Sequence, residues 1–193
     1  VHNIVHDGIS VCHDEIAAAE VSQLYRGHEV AVHTLTHPNL LECSQEEVIR
    51  QVGEDARALS ALTGREITGM AYPGGPFYTE EIMRTIVEHT PVRWARTVNW
   101  HHTFRLPDRW MEWHPTVYQN DADLMELADR FLRLETEEDQ LFYLWGHSFE
   151  FDKYKSWDAF ERFCEKIGGH GTVTYATNGE IFRWYQAKDA KKG

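Results

Sequence analysis

Two histidines four residues apart, His33 and His37, are the side chains in this sequence best suited to hold a metal ion. They stand in the run Val30-Ala31-Val32-His33-Thr34-Leu35-Thr36-His37-Pro38. On one helical turn, side chains at this spacing are neighbours, about 5–6 Å apart between Cβ atoms; a strand-to-turn corner brings them together as well. Two neutral imidazoles so placed can share one divalent ion and leave its other coordination positions open. Val30-Ala31-Val32 reads as a buried strand. The pair would then sit at a strand's carboxyl end, where α/β proteins gather their chemistry. Taken alone, the spacing equally describes two histidines that only hydrogen-bond at the surface.

A second chemical group is His147, which follows the apolar run Phe142-Tyr143-Leu144-Trp145 and Gly146. An imidazole where a strand meets its loop can give a proton to a leaving group, because it titrates near neutral pH. It can also be a core histidine bonded to a backbone carbonyl. Glu150 and Asp152 trail it, either orienting it or standing as surface carboxylates. Tyr72-Pro73-Gly74-Gly75-Pro76 is a turn by its Pro-Gly and Gly-Pro pairs. The chain has seven tryptophans. One or two of Trp100, Trp113 and Trp145 are candidates for stacking on sugar rings, and core or lid packing is the ordinary reading for several of the seven. His101 and His102 read as solvent-facing rather than as ligands.

These motifs together resemble the NodB-like polysaccharide deacetylases, carbohydrate esterase family 4. Gly27-His28-Glu29 followed by His33-Thr34 and His37-Pro38 is similar to the family's second motif, whose two histidines bind the catalytic metal. Ala71-Tyr72-Pro73-Gly74-Gly75 is similar to the third, which lines the substrate groove. Phe142 to His147 is similar to the last, whose histidine is the general acid. The resemblance implies a metal-dependent hydrolase that removes N- or O-linked acetyl groups from a carbohydrate. The implied cofactor is a divalent metal, zinc foremost, on His33 and His37. It further implies His147 as the acid, a backbone N–H near Tyr72 on the oxyanion, and Pro73, Gly74 and Trp145 against the substrate.

The family's first motif, a strand ending in two aspartates, has no counterpart here. Val5-His6-Asp7-Gly8 is superficially like it, but lies too close to His33 for the strands and helices that the family places between the two motifs; one βαβ unit alone takes about 30 residues. Asp7 is the candidate third ligand, reaching the metal only if the first residues fold back over the site. The arginine that orients the aspartate base in many members of the family is also missing, with Ala71 in its place and Arg96 as a candidate stand-in. The expected fold is therefore an α/β, irregular (β/α) barrel of the deacetylase type, missing its first β-α-β unit. An open sheet edge of that kind invites a homo-oligomer. Other readings on the same scaffold are a non-catalytic metal- or sugar-binding remnant and a different metal-dependent hydrolase.

Composition narrows the partners. A formal charge of −12 argues against nucleic acid and anionic membrane. No run approaches the length of a membrane span, and no signal-peptide pattern opens the chain, which leaves cytoplasmic and secreted settings both open. Cys12, Cys43 and Cys164 are too scattered for a disulfide framework or a CxxC site.

The remaining pattern alternates short apolar runs with amphipathic stretches over one domain, residues 1–193, as βα units around a mostly parallel sheet. Strands are expected at 30–32, 67–72, 94–98, 140–145 and 172–176. The strand at 140–145 should be buried on both faces. A short helix is expected over 15–25. A longer one follows Ser44, with apolar residues at helical spacing from Val48 to Leu62 and a stop at Gly64. Others follow Thr79, Asp121 or Asp123, Ser156 and Thr177.

Overall fold

The computed structural model describes residues 18–191, which form two compact units interleaved along the chain. The first comprises the described residues up to Thr97, the return segment Arg109–Trp113 and the chain from Ala176 onward. The second comprises Val98–Asp108 and His114–Tyr175.

The first unit is built on parallel pairings. Strand β1 (Gly69–Ala71) pairs with β2 (Trp94–Arg96), Met70 opposite Ala95. Val32 bridges in parallel to Met70 on one side, and Arg96 to Trp113 on the other. The expected strand at 30–32 is thus reduced to one bridging residue, fixed by Val32 N–H to Gly69 O and Ala71 N–H to Val32 O, both 2.9 Å. Gly69 is required by packing rather than by backbone angle: a Cβ there would fall 1.8 Å from the Trp94 ring.

Helices α1 (Ala18–Leu24), α2 (Gln45–Thr63) and α3 (Glu80–His89) follow the sequence pattern. The Ser44 side chain accepts the Glu47 N–H at the start of α2, and Gly64, left-handed at φ 68°, ends it. The inward face of α2 places Val48, Val52, Ala56 and Leu59 in one cluster with Met70 and Ile86. Full burial of a side chain the size of valine or leucine is worth about 1.5–3 kcal/mol, so this stripe anchors the helix. The last helix of the chain, Asn178–Asp189, opens with a reciprocal capping box between Thr177 and Glu180. Glu29 also accepts the Gly179 N–H, at 3.0 Å from each carboxylate oxygen. Burial pushes the Glu29 carboxyl up, opposed by the Gly179 hydrogen bond and by Arg183.

The second unit has β3 (Val117–Tyr118) parallel to β4 (Leu144–Trp145), with helices α4 (Leu124–Leu132), α5 (Ser148–Tyr154) and α6 (Trp157–Ile167); the helix after Thr177 is α7. Phe104, Val117, Leu127, Ala128 and Phe163 form its core. Here three expectations change. The strand at 140–145 shortens to two residues, because Thr116 interrupts the ladder: its hydroxyl accepts the Tyr143 N–H at 3.0 Å, and Tyr143 O takes the N–H groups of both Thr116 and Val117. Leu144 and Trp145 are half-buried rather than buried on both faces. Residues 172–176 form no strand: the Tyr175 hydroxyl donates to Ile167 O at 2.8 Å and accepts the His170 N–H at 2.9 Å, tying the segment to the end of α6. Helix α5, directly after His147, was not legible in the apolar pattern because its seven residues bury only Phe151.

No helix among the described residues is long and apolar enough to cross a membrane.

Candidate active-site residues

The histidine corner of the first unit starts where the Val32 bridge ends. Thr34 and His37 both take left-handed backbone angles, φ 68° and 55°, a conformation that costs a non-glycine residue of order 1 kcal/mol and persists only when the surroundings enforce it. Helix α2 does the enforcing through two buried polar side chains one turn apart. The Asp55 carboxylate accepts the His33 N–H at 3.0 Å. Gln51 accepts the Thr36 N–H at 3.0 Å and donates to the Thr36 hydroxyl at 2.8 Å. The Thr34 hydroxyl accepts the His37 N–H at 3.1 Å and closes the turn. Burial raises the Asp55 carboxyl above its ordinary range, and the backbone hydrogen bonds from His33 and Thr34 oppose that rise.

The result is a pair of half-buried imidazoles with ring centroids 4.8 Å apart and planes inclined at 72°. His33 Nδ1 lies 2.9 Å from the Ala71 carbonyl. A carbonyl only accepts, so Nδ1 carries the proton in this contact. This is the orientation in which a metal-binding histidine is ordinarily held by its other ring nitrogen. The donor set and its orientation fit a divalent metal at two positions.

The Tyr72-Pro73-Gly74 loop adjoins this corner. A Cβ on Gly74, at φ 72°, would lie 2.9 Å from the Phe77 ring and 3.8 Å from His37 Cε1, so glycine is needed beside the imidazole. Tyr72 itself takes another part than expected. Its N–H donates to Arg96 O at 3.1 Å, its hydroxyl donates to Met111 O at 2.8 Å, and its ring is buried and stacked 4.4 Å from Tyr78. Already committed within the sheet, the Tyr72 N–H is not a free oxyanion donor, and its side chain is a packing element of the core. Arg96 donates to Thr97 O at 3.2 Å. Asp7 lies outside the described residues.

In the second unit, β4 delivers Trp145, Gly146 and His147 to the start of α5. The Trp145 ring packs against Tyr118 and Trp100, centroids 5.2 and 5.9 Å away, and meets the His147 ring edge-on at 5.7 Å. His147 is substantially exposed, with Nδ1 3.2 Å from Glu150 Oε2. Trp100, Tyr118 and Trp145 thus make an aromatic platform beside an imidazole, while Trp113 is fully buried against Trp94 in the first unit.

His102 departs from its solvent-facing reading. With Asp121 and Asp123 it is the one group of three candidate metal-ligating side chains found among the described residues. Its two carboxylates face opposite ring nitrogens, Asp121 on Nε2 at 2.9 Å and Asp123 on Nδ1 at 3.8 Å. One donor atom from each of the three side chains lies within 4.8 Å of the other two, so the imidazole and the two acids form one compact cluster.

Sequence reasoning missed Gln51 and Asp55. Their signal was present as two polar residues four apart, Gln51 and Asp55, flanking Val52 on the apolar stripe of α2.

Against known proteins, residues 12–94 match the polysaccharide deacetylase family model. The matched span contains His33, His37 and the Tyr72-Pro73-Gly74 loop in the order read from the sequence. This stretch is similar to the polysaccharide deacetylase family. A chitooligosaccharide deacetylase of Rhizobium leguminosarum bv. phaseoli is 41% identical over 59 residues, 30% of this chain and 25% of that protein. The chain therefore spans about a quarter of the length of the curated relative it matches. Among solved structures, the Xyl-CE4 domain of a multidomain xylanase from the hindgut metagenome of Trinervitermes trinervoides aligns with a TM-score of 0.51 at 14% identity. That alignment covers 85% of this chain and 68% of that one. The chain shares the fold of this deacetylase domain, the (β/α)-barrel class expected from the motifs. A CE4 family pseudoenzyme from Bacillus anthracis aligns at a TM-score of 0.47 and 18% identity, over 78% of this chain and 44% of that one.

Proposed function

We propose that this polysaccharide deacetylase chain hydrolyses acetyl groups, N- or O-linked, from an acetylated carbohydrate, with a divalent metal, zinc foremost, held by His33 and His37. The observation that carries the reading is the paired imidazoles of His33 and His37, ring centroids 4.8 Å apart, with His33 anchored through Nδ1 on the Ala71 carbonyl as a metal-binding histidine ordinarily is. When bound, the metal would polarise the acetyl carbonyl and lower the pKa of a coordinated water.

The chain's own groups supply the rest. Asp55, Gln51 and Thr34 hold the histidine corner in its left-handed turn, so the ligands do not have to be ordered when the ion arrives. Asp7 is the proposed third ligand, a carboxylate completing the two imidazoles. His147 is the proposed proton donor to the departing amine or alcohol. Pro73, Gly74 and Trp145 are the proposed substrate contacts, with Gly74 keeping the loop close to His37 and Trp145 offering an aromatic face to a sugar ring.

Acetate release from acetylated chito-oligosaccharide and from acetylated xylan, measured on the zinc-loaded and the chelator-treated protein, tests the reading. Release that chelation abolishes and zinc restores is the expected result. Metal binding with no acetate release from either polymer would leave a binding remnant of the fold, and absence of both would remove the reading altogether.

A further inference from the structure

Glu150 is a carboxylate of the second unit held by side chains on both sides of it. It lies in the first turn of α5, three residues after His147. One of its oxygens, Oε2, accepts the Tyr118 hydroxyl at 2.7 Å and Gln119 Nε2 at 3.1 Å, and stands 3.2 Å from His147 Nδ1. Gln119 Nε2 also donates to the His147 carbonyl at 2.8 Å, so a single amide ties the backbone of the histidine to the carboxylate that faces its ring. Gly146 makes this reach available: a Cβ there would fall 1.9 Å from Gln119 Oε1.

A surface glutamate with a basic neighbour one turn away is ordinarily worth little, because water screens the pair and both side chains wander. This one differs in where its two halves sit. The Glu150 side chain is 13% exposed and the His147 side chain 45%. The acid is fixed inside while the imidazole reaches solvent. Tyr118 keeps its proton well into the alkaline range, pushed up to about 12 chiefly by burial, with the Glu150 charge adding to the rise, so it remains a donor to the carboxylate.

We propose that Glu150 is a positioning residue for His147, holding the ring with its proton on Nδ1 and presenting Nε2 as the atom that takes up and gives away the transferable proton. The inference rests on the reading of His147 as proton donor. A carboxylate accepts and does not donate, so Nδ1–H is the tautomer that bonds to Glu150. When Nε2 also gains a proton, the ring becomes a cation whose charge the adjacent carboxylate offsets. When Nε2 gives that proton to the leaving group, the neutral ring returns to the same tautomer without having to turn over. Glu150 acts only as an acceptor and takes no part in the proton transfer, the division of labour found when an acid orients a catalytic imidazole.

The test uses the full chain with its histidines labelled with 15N, His147 being assigned by its loss in His147→Gln. Long-range proton–nitrogen correlation spectra read the tautomer directly. The wild type is expected to show Nδ1–H at pH values where the ring is neutral, and Glu150→Ala to lose that preference. Glu150→Leu, which keeps more of the side-chain volume, serves where the alanine variant does not fold. Glu150→Gln, whose amide oxygen still accepts, is expected to keep the tautomer while kcat on acetylated chito-oligosaccharide falls by about tenfold or more with KM little changed, since a neutral partner cannot offset the imidazolium. An unchanged His147 tautomer in a folded Glu150→Ala or Glu150→Leu protein overturns the proposal. If the tautomer changes but the wild type releases no acetate, Glu150 still positions the ring, and it is the deacetylase reading that falls.

Discussion

The histidine corner of the first unit and the His147 corner of the second solve the same problem, aiming an imidazole, by opposite means. His33 and His37 are held mainly through the backbone: two left-handed residues, a main-chain N–H on Asp55 and a ring nitrogen on the Ala71 carbonyl. His147 is held through side chains, with Glu150, Gln119 and Tyr118 forming one network around an exposed ring. A metal site gains from ligands already in place before the ion arrives, whereas a proton donor must change its charge during turnover and benefits from a fixed carboxylate nearby. The difference is one between preorganised geometry and preorganised charge.

The sharpest way to break the comparison is to remove each imidazole in turn. His147→Ala is expected to lower turnover by roughly 10²–10⁴-fold with metal content intact. Assays of acetate release alongside metal analysis check this, and parallel loss of metal would make His147 a ligand. His33→Ala and His37→Ala are each expected to weaken zinc affinity by about tenfold or more, since removing even an outer-shell partner of a metal histidine has effects of that order. Equilibrium dialysis gives the answer, and unchanged affinity in both variants would dismiss the site.

Supports should then fail in different currencies. Asp55→Ala withdraws the acceptor from the His33 N–H in a buried setting. It is expected to cost about 1–3 kcal/mol in denaturant unfolding and to weaken zinc binding, while Asp55→Asn, which can still accept, retains most of both. Gly146→Ala places a Cβ on Gln119 and is expected to cost about 1–3 kcal/mol. It should leave zinc affinity unchanged, because the glycine serves only the second corner. Reduced zinc affinity in Gly146→Ala would show that the two corners are not independently held.

The smallest expected effect is alkaline. The Tyr118 hydroxyl is raised in the folded protein to about 12 from an ordinary value near 10. The unfolded chain therefore loses this proton first. The stabilisation is fully present below pH 10 and is lost as pH rises from about 10 to 12. The difference in tyrosinate absorbance between wild type and Tyr118→Phe follows the titration, and a midpoint near 10 would mean that the hydroxyl is not held as described.

Much of the first unit was readable in advance. Ser44, Gly64 and Thr79 mark helix ends by local hydrogen bonding and backbone preference, and the α2 stripe from Val48 to Leu59 follows the helical period. The second unit was less readable, because its departures arise from contacts distant in sequence. Thr116 interrupts the strand at 140–145 from 27 residues away in its bond to Tyr143. The Tyr175 hydroxyl converts an apparent strand into a tethered turn. Both are side-chain hydrogen bonds replacing ladder bonds, and a hydropathy pattern carries no record of them.

For the candidate site the division is similar. The identity and spacing of His33, His37, the Tyr72-Pro73-Gly74 loop and His147 are properties of the sequence, legible because a ligand or a proton donor requires a particular side chain and a turn requires glycine or proline. Which nitrogen of His33 meets the Ala71 carbonyl, that the Tyr72 N–H is already engaged, that Asp55 and Gln51 hold the corner, and that Glu150 faces His147 from a carboxylate pinned by Tyr118 and Gln119 were decided by tertiary structure alone. Hydrogen-bond partners are chosen among every donor and acceptor that folding brings within about 3 Å, and that choice is made only when the chain has closed.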